Sequence, residues 1–138
     1  MKIVPLVLLT SILVGCDPTA TMHLRAVYQS ADEQDKQILE LREIVISELK
    51  SQKFVSEKQI ATGAAGQTCV LLTRSQRESS YPNAVFTTYA NVCTSPSELR
   101  IRFSDYPRFT ISPETNEIRE RITQELKRRS LPAKVVVE

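Results

Sequence analysis

The side chains best suited to catalysis are few in this chain and stand apart from one another. No recognisable motif places a nucleophile or an orienting carboxylate beside the single histidine, His23. No serine occupies a G-x-S-x-G or S-x-x-K motif, and the three glycines leave no phosphate-cradling loop. The carboxylates concentrate in predicted helices, where capping and solvation explain them. We therefore predict no catalytic residue and expect a protein that is not an enzyme.

The charge balance argues against a nucleic-acid-binding protein. Eighteen Lys and Arg residues face sixteen Asp and Glu residues, which gives a formal net charge of +2. Such a near-neutral chain lacks the basic excess with which proteins bind phosphate backbones. We expect no nucleic-acid partner.

The N-terminus carries an apolar run that is too short to cross a membrane. Lys2 precedes residues 3–14, whereas a membrane-spanning helix needs about 20 predominantly apolar residues. A basic residue, a short apolar run and a small residue before the cleavage point are typical of a removable signal peptide. Residues 1–15 are therefore predicted to be cleaved from the 138-residue chain, which leaves 123 residues and a charge of +1, because only Lys2 is lost.

The end of this run, Leu13-Val14-Gly15-Cys16, resembles the lipobox of bacterial lipoproteins. The lipobox ends in a small residue and an invariant cysteine, which Gly15 and Cys16 match. The resemblance covers residues 1–16 only. It implies that Cys16 becomes the mature N-terminus, with a diacylglycerol on its sulfur and an acyl chain on its amine, a stable membrane anchor. The alternative is an ordinary secretory signal in which the cysteine occurs by chance.

The residue after the cysteine bears on the location of the anchor. An aspartate at this position resembles the inner-membrane retention signal of enterobacterial lipoproteins, and Asp17 fits that rule. The resemblance implies an anchor in the outer leaflet of the inner membrane, facing the periplasm. Because the rule varies between bacterial groups and depends on the next residue, Pro18, the inner leaflet of the outer membrane is the alternative.

The remaining cysteines, Cys69 and Cys93, then form an even pair in an oxidising compartment. We expect a disulfide, which would stabilise the fold by about 3 kcal/mol in the chain-entropy model. Two isolated cysteines and a distant histidine do not form a metal-binding pattern, and a C-x-x-C redox motif is missing. We therefore expect neither a metal nor a cofactor.

Two helices are predicted in the chain. The first is predicted over residues 31–51, because Ser30 and Glu33 form a capping box ahead of apolar residues at helical spacing. The second begins at Ser112 and Pro113, which suit the N-cap and the first turn of a helix.

Strands are predicted between and beyond the helices. Four lie over residues 54–62, 67–74, 84–93 and 99–104, a strand or ordered tail covers 134–137, and 16–30 is a lipid-anchored tether that passes into a strand over 24–28. The order α-β-β-β-β-α predicts a single α+β domain over 31–138, an antiparallel meander of about four strands with both helices on one face.

The cysteines also predict the pairing of the second and third strands. If Cys69 lies opposite Cys93, then Val70 lies opposite Val92, and the valines share a face that excludes the cysteines. One antiparallel register therefore satisfies both the bridge and the core. The disulfide would staple a hairpin on the face away from the helices.

Two regions are candidates for binding. One is the polar connection over residues 75–83, which carries Tyr81 beside a proline. The other is the solvent-facing side of the sheet, where Arg100 and Arg102 are expected beside the cysteines and Tyr89. Arginine and tyrosine are favoured at interfaces. A plain solvent loop and a solvated sheet face are the alternatives.

These observations favour a lipid-anchored periplasmic module without catalytic activity that binds an envelope protein as an inhibitor, an immunity protein or an assembly factor. The rival functions are an envelope enzyme acting on cell-wall or lipid substrates, and a structural lipoprotein that contacts peptidoglycan. A deep pocket lined by unlike polar groups would favour the enzyme, whereas a shallow exposed sheet face would favour the binding module.

Overall fold

Six strands and two helices make up the fold. The computed structural model describes residues 18–26, 31–61, 67–78, 81–96, 98–107, 110–129 and 133–137. The elements, in chain order, are β1 (Thr19–Ala26), α1 (Ala31–Ser51), β2 (Val55–Ala61), β3 (Thr68–Glu78), β4 (Tyr81–Thr94), β5 (Glu98–Tyr106), α2 (Pro113–Arg128) and β6 (Ala133–Val137). The strands form one sheet in the order β2-β3-β4-β5-β1-β6. The predicted signal peptide, Cys16 and Asp17 lie outside the described residues.

The predicted α+β architecture is confirmed. The strands β2 to β5, which lie between α1 and α2 in the sequence, form the expected antiparallel meander. The sheet is wider than the four or so strands predicted, because β1 and β6 continue it beyond β5. Each helix therefore joins two parallel, non-adjacent strands, β1 to β2 and β5 to β6, and passes over the sheet to do so.

The first strand corrects the prediction of a tether over residues 16–30. Residues 19–26 pair with β5 on one side and with β6 on the other. The physical reason is an alternation of apolar and polar residues that the tether interpretation overlooked. Ala20, Met22 and Leu24 are at most 4% exposed and belong to the hydrophobic core.

The hydrophobic core lies between the helices and one face of the sheet. Alternation along β5 shows this arrangement most clearly, because Leu99, Ile101 and Phe103 are fully buried while Arg100 and Arg102 are exposed. Burial of each large apolar side chain contributes roughly 1.5–3 kcal/mol. The helices contribute Ile38, Leu41, Val45 and Leu49 from α1 and Ile118, Ile122 and Leu126 from α2.

The chain leaves α1 through a Schellman motif. The backbone N–H of Phe54 donates to the Leu49 carbonyl at 3.1 Å, and the N–H of Lys53 donates to the Lys50 carbonyl at 3.0 Å. Lys53 adopts a φ of 70°, the left-handed conformation that glycine usually occupies at this position. Phe54 and Leu49 are both buried in the core, which directs the chain from α1 into β2.

A buried carboxylate fixes the start of α2. Asp105, at the end of β5, is 2% exposed and accepts a hydrogen bond from the backbone N–H of Ser112 at 2.8 Å. It also accepts hydrogen bonds from the hydroxyl groups of Thr115 at 2.9 Å and Thr88 at 2.6 Å. Ser112 is the predicted N-cap, and its hydroxyl accepts from the N–H of Thr115. This network ties α2 to both β4 and β5.

The connection predicted as a loop over residues 75–83 is mostly strand. β3 continues to Glu78, β4 begins at Tyr81, and these two residues pair with each other. Because β5 ends opposite Thr87, the two strands form a ribbon that projects beyond the neighbouring strand. The part of the ribbon farthest from the core is polar, while Val85 nearer its base is exposed, and Pro82 is tolerated where β4 lacks a partner in β5.

Candidate interaction surface

The face of the sheet opposite the core, here called the helix-free face, combines charged, hydroxyl and aromatic side chains. Successive side chains of a strand point to opposite faces, so the alternate residues that are absent from the core belong to this face. Its central residues are Thr21, His23 and Arg25 of β1, Glu98, Arg100 and Arg102 of β5, Tyr89, Asn91 and Cys93 of β4, and Cys69, Leu71 and Thr73 of β3.

The predicted disulfide is present on this face. Cys69 and Cys93 lie directly opposite each other with their Cα atoms 4.1 Å apart, and Val70 lies opposite Val92 as expected. The two cysteines are only 1% and 4% exposed. The bond is therefore enclosed, although the cysteines were predicted on the solvent-facing side of the sheet. It crosslinks β3 to β4 next to Arg100, which is in register with Cys93.

Three exposed arginines of β1 and β5 form what we call the arginine patch: Arg25, Arg100 and Arg102. Arg100 lies opposite His23, and Arg25 lies opposite Glu98. The side chains of Arg100 and Arg102 make no hydrogen bond or ion pair with any residue that the structure describes. Their guanidinium groups are therefore available to a carboxylate ligand.

Arginines at the end of α2 are engaged instead. Arg128 and Arg129 donate hydrogen bonds to the Glu125 carboxylate at 2.6 Å and 2.8 Å. The hydrogen bonds from Arg128 and then Arg129 lower the pKa of Glu125 to about 2. These cations also suit the negative end of the helix dipole, so they need no external partner.

The candidate binding residues fall into two places. Arg100, Arg102 and Tyr89 share the helix-free face on adjacent strands, and Tyr89 lies opposite Ser104, two residues along β5 from Arg102. Tyr81 is separate from them, because it opens β4 opposite Glu78 at the tip of the projecting ribbon. The side chain of Tyr81 lies outside the described residues.

The structure adds His23, Glu98 and Arg25 to this surface. His23 Nδ1 contacts Glu98 Oε1, and the two side chains are 21% and 26% exposed. The prediction that His23 lies in a tether is corrected, because His23 is part of β1 and contacts Glu98. The alternation of Thr21, His23 and Arg25 with buried apolar residues was the signal that could have revealed it.

A separate groove lies on the helix side of the sheet. It has a volume of about 390 Å³ and is lined by residues of α1, including Asp35 and Arg42, and by Thr68 and Thr94 at the ends of β3 and β4. His23 belongs to the opposite face of the sheet, so the groove and the histidine do not combine into one site.

Two further features concern membranes and metals. Within the described residues, neither helix combines the length and the apolar composition that crossing a membrane requires. In that same part of the chain, no group of three or more His, Cys, Asp or Glu side chains could hold a metal ion.

The chain has few detectable similarities to known proteins. The chain matches no family model and no curated protein. Among solved structures, it is similar to the vertebrate conserved region of human METTL16, with 12% sequence identity and a TM-score of 0.45. The similarity covers 75% of this chain and 95% of that chain. A likeness this low carries no argument about function.

Proposed function

We propose that the protein is a lipid-anchored, non-catalytic interaction module of the bacterial envelope. Cys16 carries the lipid, Asp17 retains the anchor in the inner membrane, and the domain presents the helix-free face to an envelope protein. The arginine patch is the single observation that supports this proposal best. Two of its guanidinium groups are exposed and have no described partner, on a surface that neither helix covers.

The partner that this surface fits is a protein with acidic side chains. A guanidinium group presents a planar fork of N–H donors that matches the two oxygens of a carboxylate. Arg100 and Arg102 alternate along β5, so both project from the same face, and the Cys69–Cys93 bond crosslinks the adjacent strand β4 to β3. The sheet backbone fixes the spacing of the two arginines, while their exposed side chains lose rotamer freedom when they bind.

The anchor is tested by mass spectrometry of the N-terminal peptide from the full chain made in a bacterial host with a lipoprotein pathway. We expect a peptide that begins at Cys16 and carries a diacylglycerol and an amide-linked acyl chain. The Cys16→Ser variant should lack the lipid and leave the membrane fraction. A wild-type peptide that retains residues 1–15, or an unlipidated Cys16, would contradict the anchor.

The interaction is tested by crosslinking in intact cells, followed by recovery of the tagged protein and identification of the attached species. One sample carries Arg100→Ser and Arg102→Ser together. The matched control carries Arg121→Ser and Lys127→Ser, which remove the same charge from exposed positions of α2. We expect the first pair to reduce recovery about tenfold or more, because a charge-assisted hydrogen bond contributes about 1.5–3 kcal/mol.

Three results would count against the binding module. Equal recovery of the partner by both double variants would show that Arg100 and Arg102 of the helix-free face do not bind the partner. Retention of purified peptidoglycan that depends on Arg100 and Arg102 would instead support the structural lipoprotein. Turnover of a wall fragment by the purified protein, with no partner recovered, would support the enzyme.

A further inference from the structure

Exposed apolar side chains gather at one end of the sheet. Four large apolar residues are exposed in the described part of the chain, and three of them are Val55 at 65%, Val85 at 46% and Tyr106 at 57%. They lie at the start of β2, in the projecting ribbon and at the end of β5. The fourth, Leu39, borders the groove near the opposite end of the sheet.

The strand register brings these residues onto the helix-free face together. Tyr106 lies opposite Thr87, and Val85 is two residues before Thr87 on the same face. Such diagonal neighbours are about 7–8 Å apart, within reach of an aromatic side chain. Val85 lies opposite Arg77, which is also exposed. We call Val55, Arg77, Val85 and Tyr106 the apolar end.

The apolar end is also where the chain enters the sheet. β1 begins at Thr19, opposite Ser104, and Tyr106 lies two residues beyond Ser104 in the direction from which the chain arrives. Cys16 precedes Thr19 by only three residues. An extended chain spans at most about 3.3–3.6 Å per residue, so Cys16 lies within about 11 Å of Thr19. A lipid on Cys16 would hold this end of the sheet close to the bilayer.

We propose, resting on the lipidation of Cys16 proposed above, that the apolar end lies against the membrane surface and contacts phospholipid. Tyrosine is favoured at the boundary between acyl chains and headgroups, and the valines offer apolar contact there. The cation of Arg77 suits an anionic headgroup. Arg102 and Arg100 lie four and six residues from Tyr106 along β5, about 13 and 20 Å at the usual rise per residue, so the arginine patch is separate from the proposed membrane contact.

The test uses the absence of tryptophan from the natural sequence. Tyr106→Trp and Val85→Trp each place an indole at the apolar end, and Leu39→Trp places one at an exposed position near the opposite end as the matched control. Each full-length variant is purified from membranes and reconstituted in vesicles of phosphatidylethanolamine and phosphatidylglycerol, with or without brominated acyl chains. The mass of the Cys16 peptide is measured on the same samples.

We expect the tryptophan emission of both apolar-end variants to lie at shorter wavelength than the emission of Leu39→Trp. Brominated lipid should quench both apolar-end variants and leave Leu39→Trp unchanged. A lipidated Cys16 without quenching at positions 106 and 85 would overturn the proposed orientation and leave the anchor intact. Equal quenching of all three variants would also overturn it. A Cys16 peptide without lipid would overturn the anchor and the orientation together.

Discussion

The two faces of the sheet differ in what their side chains do. On the face covered by the helices, the central strand residues are apolar and almost fully buried, and the buried Asp105 there is hydrogen-bonded. On the helix-free face, the same strands carry arginines, a histidine–glutamate pair and a disulfide. The first face supplies the hydrophobic core, whereas the second supplies a crosslink and exposed charged side chains. The charged residues of the helix-free face can therefore serve recognition.

The largest contrast is expected between neighbouring residues of β5. Phe103 is 0% exposed in the core, and Phe103→Ala should lower the free energy of unfolding by about 3–5 kcal/mol. Arg102→Ala, one residue away on the other face, should change it by less than about 0.5 kcal/mol. Chemical denaturation of both variants measures the difference. Similar losses would show that the helix-free face is also structural.

The disulfide is the structural exception on the helix-free face. Its two cysteines are separated by 24 positions, and loss of the bond should cost about 3 kcal/mol in the chain-entropy model. Denaturation of the Cys69→Ser/Cys93→Ser variant, compared with the oxidised wild type, measures this cost. Two free thiols in the soluble oxidised domain, counted after denaturation without reductant, would show that the pair is not formed in solution.

The helix-covered face should also be sensitive at the buried carboxyl group of Asp105. Asp105→Asn replaces an acceptor of hydrogen bonds from Ser112, Thr115 and Thr88 with a group that presents donors, and should cost about 1–3 kcal/mol. Asp35→Asn, at an exposed position of α1, is the control and should be nearly neutral. Thermal denaturation compares them. Equal midpoints would mean that the Asp105 network does not hold α2 to the sheet.

A small effect is expected at the His23–Glu98 pair of the helix-free face. Glu98→Gln removes the charge facing His23, where both side chains remain partly exposed, and should cost no more than about 1 kcal/mol. Denaturant titration at neutral pH measures it. A loss as large as that of Asp105→Asn would show that this pair is a part of the folded framework.

Much of the helix-covered face was predictable because strong local signals agree with the packing there. The capping box at Ser30 predicted α1 over the residues that it occupies, Ala31–Ser51. The register of Cys69 with Cys93 followed from a requirement that the valines on either strand meet in the core. In both cases, a local pattern and a long-range contact demand the same arrangement.

The rest depended on contacts that a single sequence does not contain. The tether prediction for β1 is wrong because the partners β5 and β6 are distant in the chain, and the short alternation of Ala20, Met22 and Leu24 with polar residues is the only local sign of a strand. The contact of His23 with Glu98 joins residues 75 positions apart, so a local sequence pattern does not indicate it. The sequence over residues 75–83 is polar because the ends of β3 and β4 extend beyond the core, and this polarity indicates a loop where the strands in fact reach Glu78 and Tyr81.

The most direct test of the account is photo-crosslinking in intact cells from single positions on the two sides of the domain. A photoreactive amino acid replaces Arg102 on the helix-free face or Arg121 on the outer surface of α2, both of which are exposed. We predict a discrete adduct with one envelope protein from position 102 and none from position 121. An adduct from position 121 alone, or the same adduct from both positions, would contradict the central claim that the helix-free face binds the partner.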